Sequence, residues 1–523
     1  MSRAARVVRR RWQVVAVAAG AAVLMACTSA IPSPTGTGHA GLGGSGTVAD
    51  GLANPTGEGD GHGSAAETVT LATGNPRASR GVVAEGGAGA PYNYTPTVMR
   101  DGDHTRMWWC SQYNTARPAG DDIVYGVADS GADHFTGPNG GIPLAVFSGS
   151  SSGFDAVHTC DPSVIRVDDR YYLYYTGADG DGDFANAIGL AKSEDGKNWR
   201  RVNGGEPIVR AAFDTERANT YGAGQPAVTY LEGRYYLMFT DTTGHAAGWN
   251  GAGQFVLRSP DPAFASDVEA LGPDGFDPVT SPEETREHAV IDAFSVDLMW
   301  VAALDAFAVA HQTTAGTTVT FFDRDFATTP YEPVVIEGQW REGPGLLRDP
   351  KGHAPVSARE PCETVPLDVI RATRNTEAPT DLRRFGLDLV EVAACADAGI
   401  AMAVLDGYAV PAAGGDVVDG EMDVITDSEV VRVQRREVAE LLADRVLDVR
   451  PGSLGPLRAT ARLEPGAPVL SSPNHRGGVV LDDDRMWPVA EDGIDELAER
   501  NGSPNRTVSD GEWQSYPEAP GFG

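Results

Sequence analysis

Three acidic residues stand at related positions in a repeated sequence pattern, and their spacing indicates acid and base chemistry. Asp161 opens the stretch DPSVIRVDDRYYLYYTG, and the first tyrosine of its YYLYY segment follows ten residues later. Counting back ten residues from Phe307 in a similar stretch gives Asp297, and Glu342 stands directly before a Gly-Pro pair in a third. Carboxylates brought to one place repel one another, and this repulsion separates their pKa values. The three acids therefore predict a site for general acid and base catalysis.

The same pattern also occurs without an acid. Gln225 lies ten residues before the first tyrosine of YYLMFTD, and Thr95 opens an earlier copy, TPTVMRDGDHTRMWWC, which has a longer turn. Each copy combines an alternating strand, a turn and a second aromatic strand, which is the pattern of a β-hairpin. A third strand follows each hairpin, as in GLAKSEDGKNW and FVLRSPDPAF.

The five copies predict an all-β fold. Their starts near residues 95, 161, 225, 297 and 343 give a period of about 65 residues, which suits a propeller blade with long loops. The sequence thus predicts a five-bladed β-propeller of four-stranded blades over residues 91–410, with a two-sheet sandwich as the alternative fold.

A propeller would bring the five starts together, because the first strand of every blade lines the central channel. Asp161, Asp297 and Glu342 are then the predicted catalytic residues, while Thr95 and Gln225 supply hydrogen bonds to substrate hydroxyls. Asp292 is an alternative to Asp297, since it also precedes that strand. A strand-capping role is the alternative for Asp161, but the hairpins that start with Thr and Gln do not require an acid there.

Other residues near these starts are weaker candidates. His158 precedes Asp161 by three residues and could bind a sugar or the acid, and Tyr221 could offer a stacking face. The stretch Arg348-Asp349-Pro350 is interpreted as a plain turn. The spacing of His, Cys and acidic residues fits no metal site and no Gly-rich phosphate loop follows a strand, so we expect no metal and no cofactor. A cation on the propeller axis remains an alternative that the sequence does not reveal.

The hairpin stretches DPSVIRVDDRYYLYYTG and IGLAKSEDGKNW resemble five-bladed carbohydrate-active propellers, in particular glycoside hydrolase family 43 and the invertase-like families. The resemblance implies that Asp161 is the general base, that Asp297 tunes the pKa of the acid and orients substrate, and that Glu342, in a Glu-Gly-Pro motif, is the general acid. Family members usually carry the base on the first blade, where this chain has Thr95. The resemblance covers residues 91–345 well, the fifth blade loosely, and nothing beyond about residue 410.

The N-terminal region predicts export. A basic stretch is followed by an apolar run and by LMAC, so residues 1–27 are interpreted as a lipoprotein signal with Cys27 as the lipidated residue. An ordinary cleaved signal with a chance cysteine is the alternative. Residues 28–90 are rich in Gly, Ser, Thr, Ala and Pro and predict a flexible linker.

Four cysteines remain after Cys27, an even number that favours disulfides over metal ligands in an exported protein. Three pairings are open. We favour Cys110 with Cys160 and Cys362 with Cys395, because each pair falls in neighbouring repeats or in one repeat. Residues 411–523 predict a small appendage with a short helix from Arg436 to Leu447, two strands around a turn, and a loose tail.

The net charge of −32 opposes binding to nucleic acid or to anionic lipid. We therefore expect no nucleic-acid partner and no membrane contact apart from the N-terminal lipid. That lipid would hold a monomer at the extracytoplasmic side of the cell membrane. The leading hypothesis is an inverting glycoside hydrolase that acts on a polysaccharide or oligosaccharide containing arabinose or xylose. A carbohydrate-binding surface lipoprotein without turnover and a glycoside phosphorylase are the alternatives.

Overall fold

The computed structural model describes residues 68–84, 93–111, 120–129, 134–138, 140–180, 182–338, 340, 343–373, 382–413, 420–489 and 493–522. Cys27 and Glu342 lie outside these residues, as does most of the predicted linker. No helix among the described residues has the length and apolar character needed to cross a membrane.

Strands are the main regular structure of the described chain up to residue 390. The first nine are β1 (Ala72–Ala78), β2 (Asn93–Asp101), β3 (His104–Ser111), β4 (Asp122–Asp129), β5 (Leu144–Phe147), β6 (His158–Val167), β7 (Arg170–Ala178), β8 (Ala187–Ser193) and β9 (Arg200–Arg201). The next twelve are β10 (Ala223–Leu231), β11 (Arg234–Asp241), β12 (Gln254–Ser259), β13 (Glu269–Gly272), β14 (Gly275–Pro278), β15 (Asp297–Val301), β16 (Ala306–Thr313), β17 (Gly316–Phe322), β18 (Val334–Glu337), β19 (Gly345–Arg348), β20 (Thr364–Ala372) and β21 (Leu382–Val390).

These strands form sheets that follow the sequence repeats. β6 to β9, β10 to β14, and β15 to β18 each make a separate sheet in chain order, whereas β1-β21-β20-β19-β2-β3-β4-β5 is one eight-stranded sheet. A parallel pairing between β19 and β2 joins the first and last repeats within that sheet. The protein is therefore mostly β, with several sheets of four or five strands, and the count of five blades stays a prediction.

Local sequence explains the hairpins. In β6 and β7, Val167 pairs with Arg170, so Asp168 and Asp169 form a two-residue turn. Both residues have positive φ, 48° and 59°, as tight hairpin turns require and as Asp tolerates. These two acids shape the turn.

Apolar faces of consecutive sheets pack against each other. Met99 and Trp108 of the first repeat share a core cluster with Leu173 of the second, and Val228 of the third packs with Ile165. The last repeat returns to the first, because one further cluster contains residues of both: Val98, Met107, Ile370 and Leu382. Successive packing of this kind holds the first strand of each repeat near a common centre.

The predicted linker 28–90 is too long. Residues 72–78 form β1, which pairs antiparallel with β21. Its side chains are mainly exposed, so the strand lacks the apolar pattern that would have revealed it. Arg77 compensates by binding Asp368 at 2.8 Å and Asp388 at 2.6 Å.

The C-terminal region is also more ordered than expected. Its elements are α1 (Ala398–Val404), β22 (Tyr408–Pro411), β23 (Met422–Thr426), β24 (Glu429–Val433), α2 (Arg436–Leu442), β25 (Arg445–Val446), β26 (Ala461–Leu463), β27 (Val469–Ser472), β28 (His475–Val480), β29 (Met486–Pro488), α3 (Ile494–Asn501), β30 (Asn505–Thr507) and α4 (Asp510–Trp513). They form two sheets, β25-β22-β23-β24-β26 and β29-β28-β27-β30.

Three details of that region differ from the sequence prediction. The helix that starts at Arg436 ends at Leu442 and gives way to β25, so it is shorter than expected. β22 contains residue 410, so the predicted boundary falls inside a strand of the appendage. The expected loose tail instead contains α3, whose Ile494 and Leu497 are buried in a core shared with Val438 of α2.

Candidate active site

Five residues that start the repeats line one pocket. They share a positive φ between 42° and 54°, and they are Thr95, Asp161, Gln225, Ser295 and Gly343. Four of the five precede a proline. The hairpin register shifts at the first three of these positions, which marks β-bulges, and bulges re-aim side chains beside functional sites. Positive φ at Thr and Gln is costly, and such strain also gathers at functional sites.

Asp161 is the carboxylate at the centre of this arrangement. Its residue is only 9% exposed, and the Tyr221 hydroxyl donates to its Oδ2 at 3.3 Å. Burial raises the pKa of Asp161 to about 6, while hydrogen bonds from Thr176 and Tyr221 limit the rise. A carboxyl with a pKa near 6 exchanges protons close to neutral pH, as a general base or acid must.

His158 and Tyr221 are not among the residues that line the pocket. The His158 Nδ1 atom lies 3.2 Å from Asp121 Oδ2, so the imidazole pairs with a different carboxylate. Tyr221 reaches Asp161 through its hydroxyl. Tyr221 therefore hydrogen-bonds the Asp161 carboxylate, which differs from the sugar-stacking role that the sequence suggested.

Disulfides join Cys110 to Cys160 and Cys362 to Cys395, as predicted. The first anchors the residue directly before Asp161 to the neighbouring repeat. Asp121 lies close to both of its sulfur atoms, but sulfurs joined in a disulfide are not thiolate ligands. This group is therefore no metal site.

Gln225 is held by its amide oxygen. That atom accepts from the Thr240 hydroxyl at 3.0 Å and from the Ser295 backbone N–H at 3.1 Å. The second bond joins the third and fourth repeats at the pocket wall. With the oxygen engaged, the amide NH2 is the part of Gln225 available to donate to a ligand hydroxyl.

Asp297 lines the pocket but does not occupy the start position of its repeat. Ser295 has the positive φ, and it lies twelve residues before Phe307, whereas the second and third repeats have a spacing of ten. The extra residues are taken up by a short helical turn at Ala302–Leu304, which ends at Asp305 with φ 49°. Counting ten residues therefore missed the equivalent residue by two.

A buried arginine pairs with Asp297. Arg348 is 1% exposed, and its Nη1 lies 3.0 Å from Asp297 Oδ1. The same guanidinium donates to the Val228 and Leu298 carbonyls at 3.0 and 2.7 Å and to Thr97 Oγ1 at 2.8 Å. Arg348 thereby links four repeats, including its own. The interpretation of this residue as part of a plain turn was wrong, although Asp349 does bind turn N–H groups.

The environment of Asp297 shifts its pKa in two opposing ways. Burial raises the pKa of Asp297, and the charge of Arg348 limits the rise. Its Oδ2 accepts from the Leu346 N–H at 2.7 Å, which fixes the strand just after Gly343-Pro344. Asp292, the alternative from sequence, is exposed and packs beside Gly248.

Four of the predicted residues thus meet at one pocket, namely Thr95, Asp161, Gln225 and Asp297, while Glu342 lies outside the described residues. Sequence reasoning missed Ser295 and Arg348. The serine had no signal beyond its place before a strand, and the arginine was visible only as part of a short motif.

These features define a protein of mainly antiparallel sheets with a buried carboxylate at a shared pocket. Residues 154–349 match the model of Glycosyl hydrolases family 43. This match confirms the resemblance to that family for the part of the chain that contains Asp161, Gln225, Asp297 and Glu342.

The chain is also similar to individual proteins. It is 26% identical over 121 residues to a protein of Escherichia coli (strain K12) named "Putative beta-xylosidase", a match that covers 23% of this chain and 22% of the relative. Among solved structures, a family 117 glycoside hydrolase from Zobellia galactanivorans is 13% identical with a TM-score of 0.42, covering 61% of this chain and 92% of the other. An alpha-L-arabinofuranosidase from Podospora anserina is 12% identical with a TM-score of 0.38, covering 61% and 98%.

Proposed function

We propose that this protein is a glycoside hydrolase of the family 43 type, acting on glycans that contain arabinose or xylose. One observation carries the proposal: Asp161, with a pKa raised to about 6, lies where five repeat starts meet in one pocket. The match of residues 154–349 to the family model supports the same conclusion.

The proposed reaction inverts the anomeric centre. Asp161 removes a proton from a water molecule, whose oxygen attacks the anomeric carbon as the glycosidic bond breaks. Glu342 gives its proton to the departing oxygen. The inverting route requires the two carboxyl groups to stand about 6.5–9.5 Å apart, so that the water fits between them and the sugar.

Asp297 has a positioning role in this proposal. Its bond to the Leu346 N–H fixes the strand that begins three residues after Glu342, and its charge is balanced by Arg348. It would therefore influence the acid through the backbone of that segment, which refines the pKa-tuning role implied by the family resemblance.

The remaining parts of the proposal concern organisation and location. We propose a monomeric five-bladed propeller that needs no cofactor and is exported and anchored through a lipid on Cys27. The guanidinium of Arg348 supplies a buried positive charge next to Asp297. The acidic net charge supports the absence of nucleic acid as a partner.

A carbohydrate-binding protein without turnover is the second candidate. Ser295 favours it, because the fourth repeat start carries a hydroxyl where a third acid was expected. For a phosphorylase, the pocket would need a basic side chain, and the described residues that line it include none.

Hydrolysis of arabinan, xylan and aryl glycosides tests the proposal, with Asp161→Asn and Glu342→Gln as variants. We expect sugar release by the unaltered protein, with inverted configuration by NMR, and a loss of at least about a hundredfold in both variants. Binding without release would favour the second candidate.

A further inference from the structure

Two aromatic side chains are unusually exposed among the described residues. Phe213 is 65% and Trp249 is 69% exposed, although large aromatic residues are normally buried or used in binding. Both lie on loops between strands, and neither takes part in the catalytic arrangement proposed above.

Trp249 stands at the pocket end of the third repeat. Its loop connects Asp241, the last residue of β11, to the first residue of β12. Asp241 pairs with Ala223, two residues before Gln225 of the pocket wall, and Thr240 donates to the Gln225 amide. The loop therefore leaves the sheet beside the pocket.

Phe213 lies at the same end. Its backbone N–H donates to Thr243 Oγ1 at 2.9 Å, at the base of the loop that carries Trp249. Its ring contacts Phe184 of the second repeat, with centroids 5.5 Å apart at an interplanar angle of 72°. Phe184 follows β7, whose last residue, Ala178, pairs with His158 near Asp161. The aromatic residues thus lie over the repeats that contribute Asp161 and Gln225.

The loops that carry these rings are held firmly. The Arg217 guanidinium donates to four backbone carbonyls of the Trp249 loop, those of Thr242, Gly244, His245 and Ala247. Asn219 binds the Asn250 carbonyl at 3.1 Å. Buried Asp241 accepts from Ala212 and Thr243. A surface that is ordered in advance loses little entropy when a ligand covers it.

We infer that Phe184, Phe213 and Trp249 form an aromatic platform that binds further sugar rings of a glycan whose end occupies the pocket. A sugar ring offers an apolar C–H face and a polar hydroxyl edge, so it covers an aromatic ring while its hydroxyls stay in water. The inference rests on the proposed function, because it assigns the platform to the same substrate. It makes the protein selective for chains over single sugars.

The test measures oligosaccharide affinity in a protein that cannot turn over substrate. Binding of xylohexaose and arabinohexaose to Asp161→Asn is measured by calorimetry, alone and combined with Trp249→Ala or Phe213→Ala. If a sugar ring covers about half of the exposed indole, ordinary hydrophobic transfer energies predict that Trp249→Ala raises Kd about ten- to thirtyfold. We expect a smaller rise for Phe213→Ala.

Ile142→Ala is the matched control. Ile142 is 67% exposed and precedes β5, whose Leu144 pairs with Tyr125 away from the pocket end of its sheet. We expect an unchanged Kd for this variant. If the Trp249 and Ile142 variants bind the hexasaccharides with equal Kd, the inference is overturned. The exposed aromatic surface would then be explained better by contact with another protein.

Kinetics separate this inference from the proposed function. In the active protein, Trp249→Ala should raise KM for a hexasaccharide at least about five times more than KM for an aryl glycoside. Hydrolysis without this selectivity refutes the platform alone. Trp249-dependent hexasaccharide binding without any hydrolysis refutes the proposed reaction and supports the platform. Melting temperatures of all variants show whether each one is folded.

Discussion

Replacing Asp161 by Asn should stabilise the protein at neutral pH while removing its activity. Burial raises the pKa of this carboxyl from 3.8 to about 6, so the folded state binds the proton more tightly than the unfolded chain does. Ionisation of the Asp161 carboxyl therefore lowers the free energy of unfolding. A shift of about two units corresponds to about 3 kcal/mol in the free energy of unfolding.

The pH dependence follows from the same shift. Below about pH 4 the carboxyl is protonated in both states, so the unaltered protein and the Asp161→Asn variant should be similar in stability. The destabilisation develops between about pH 4 and pH 6 as the unfolded chain ionises first, and it stays constant above the folded pKa. The stability advantage of Asp161→Asn should appear across that interval.

Thermal unfolding of both proteins from about pH 4 to pH 8 measures the difference. We expect the melting temperature of Asp161→Asn to exceed that of the unaltered protein by several degrees at neutral pH and to approach it at the acidic end. Asp168→Asn, which removes an exposed acid of a hairpin turn, is the matched control for the loss of one carboxylate. A difference for Asp161→Asn that does not change with pH would refute the reasoning.

Three further variants test the surroundings of the site. Tyr221→Phe removes a donor to the Asp161 carboxylate, so the pKa should rise further and the acidic limb of kcat/KM should move to higher pH; an unmoved limb would contradict this. Arg348→Met leaves a buried carboxylate unpaired and should lower the free energy of unfolding in urea by about 3–5 kcal/mol, with no rescue by Arg348→Lys, whereas near-normal stability would deny its linking role. Cys110→Ser with Cys160→Ser opens a disulfide across 50 residues and should cost about 4 kcal/mol on the loop-entropy model, checked by the shift in melting temperature against the oxidised protein.

Much of the fold was readable from local pattern. Alternating strands and the Asp168-Asp169 turn predicted the β6–β7 hairpin, because side-chain alternation and turn geometry depend on residues close in sequence. The third strands of the repeats, now β4, β8, β12 and β17, were visible for the same reason. β1 was not visible, since an edge strand is held by backbone pairing and by ion pairs of Arg77 with residues about 300 positions away.

The site divides in the same way. The sequence by itself determined which residues start the first three repeats, and that the acid at Asp161 is not required by the hairpin. Only the tertiary structure decided that Ser295, and not Asp297, starts the fourth repeat, because a longer turn displaced the count. It also decided that Asp297 forms an ion pair with Arg348. A buried ion pair between repeats depends on long-range packing, which local sequence spacing does not show.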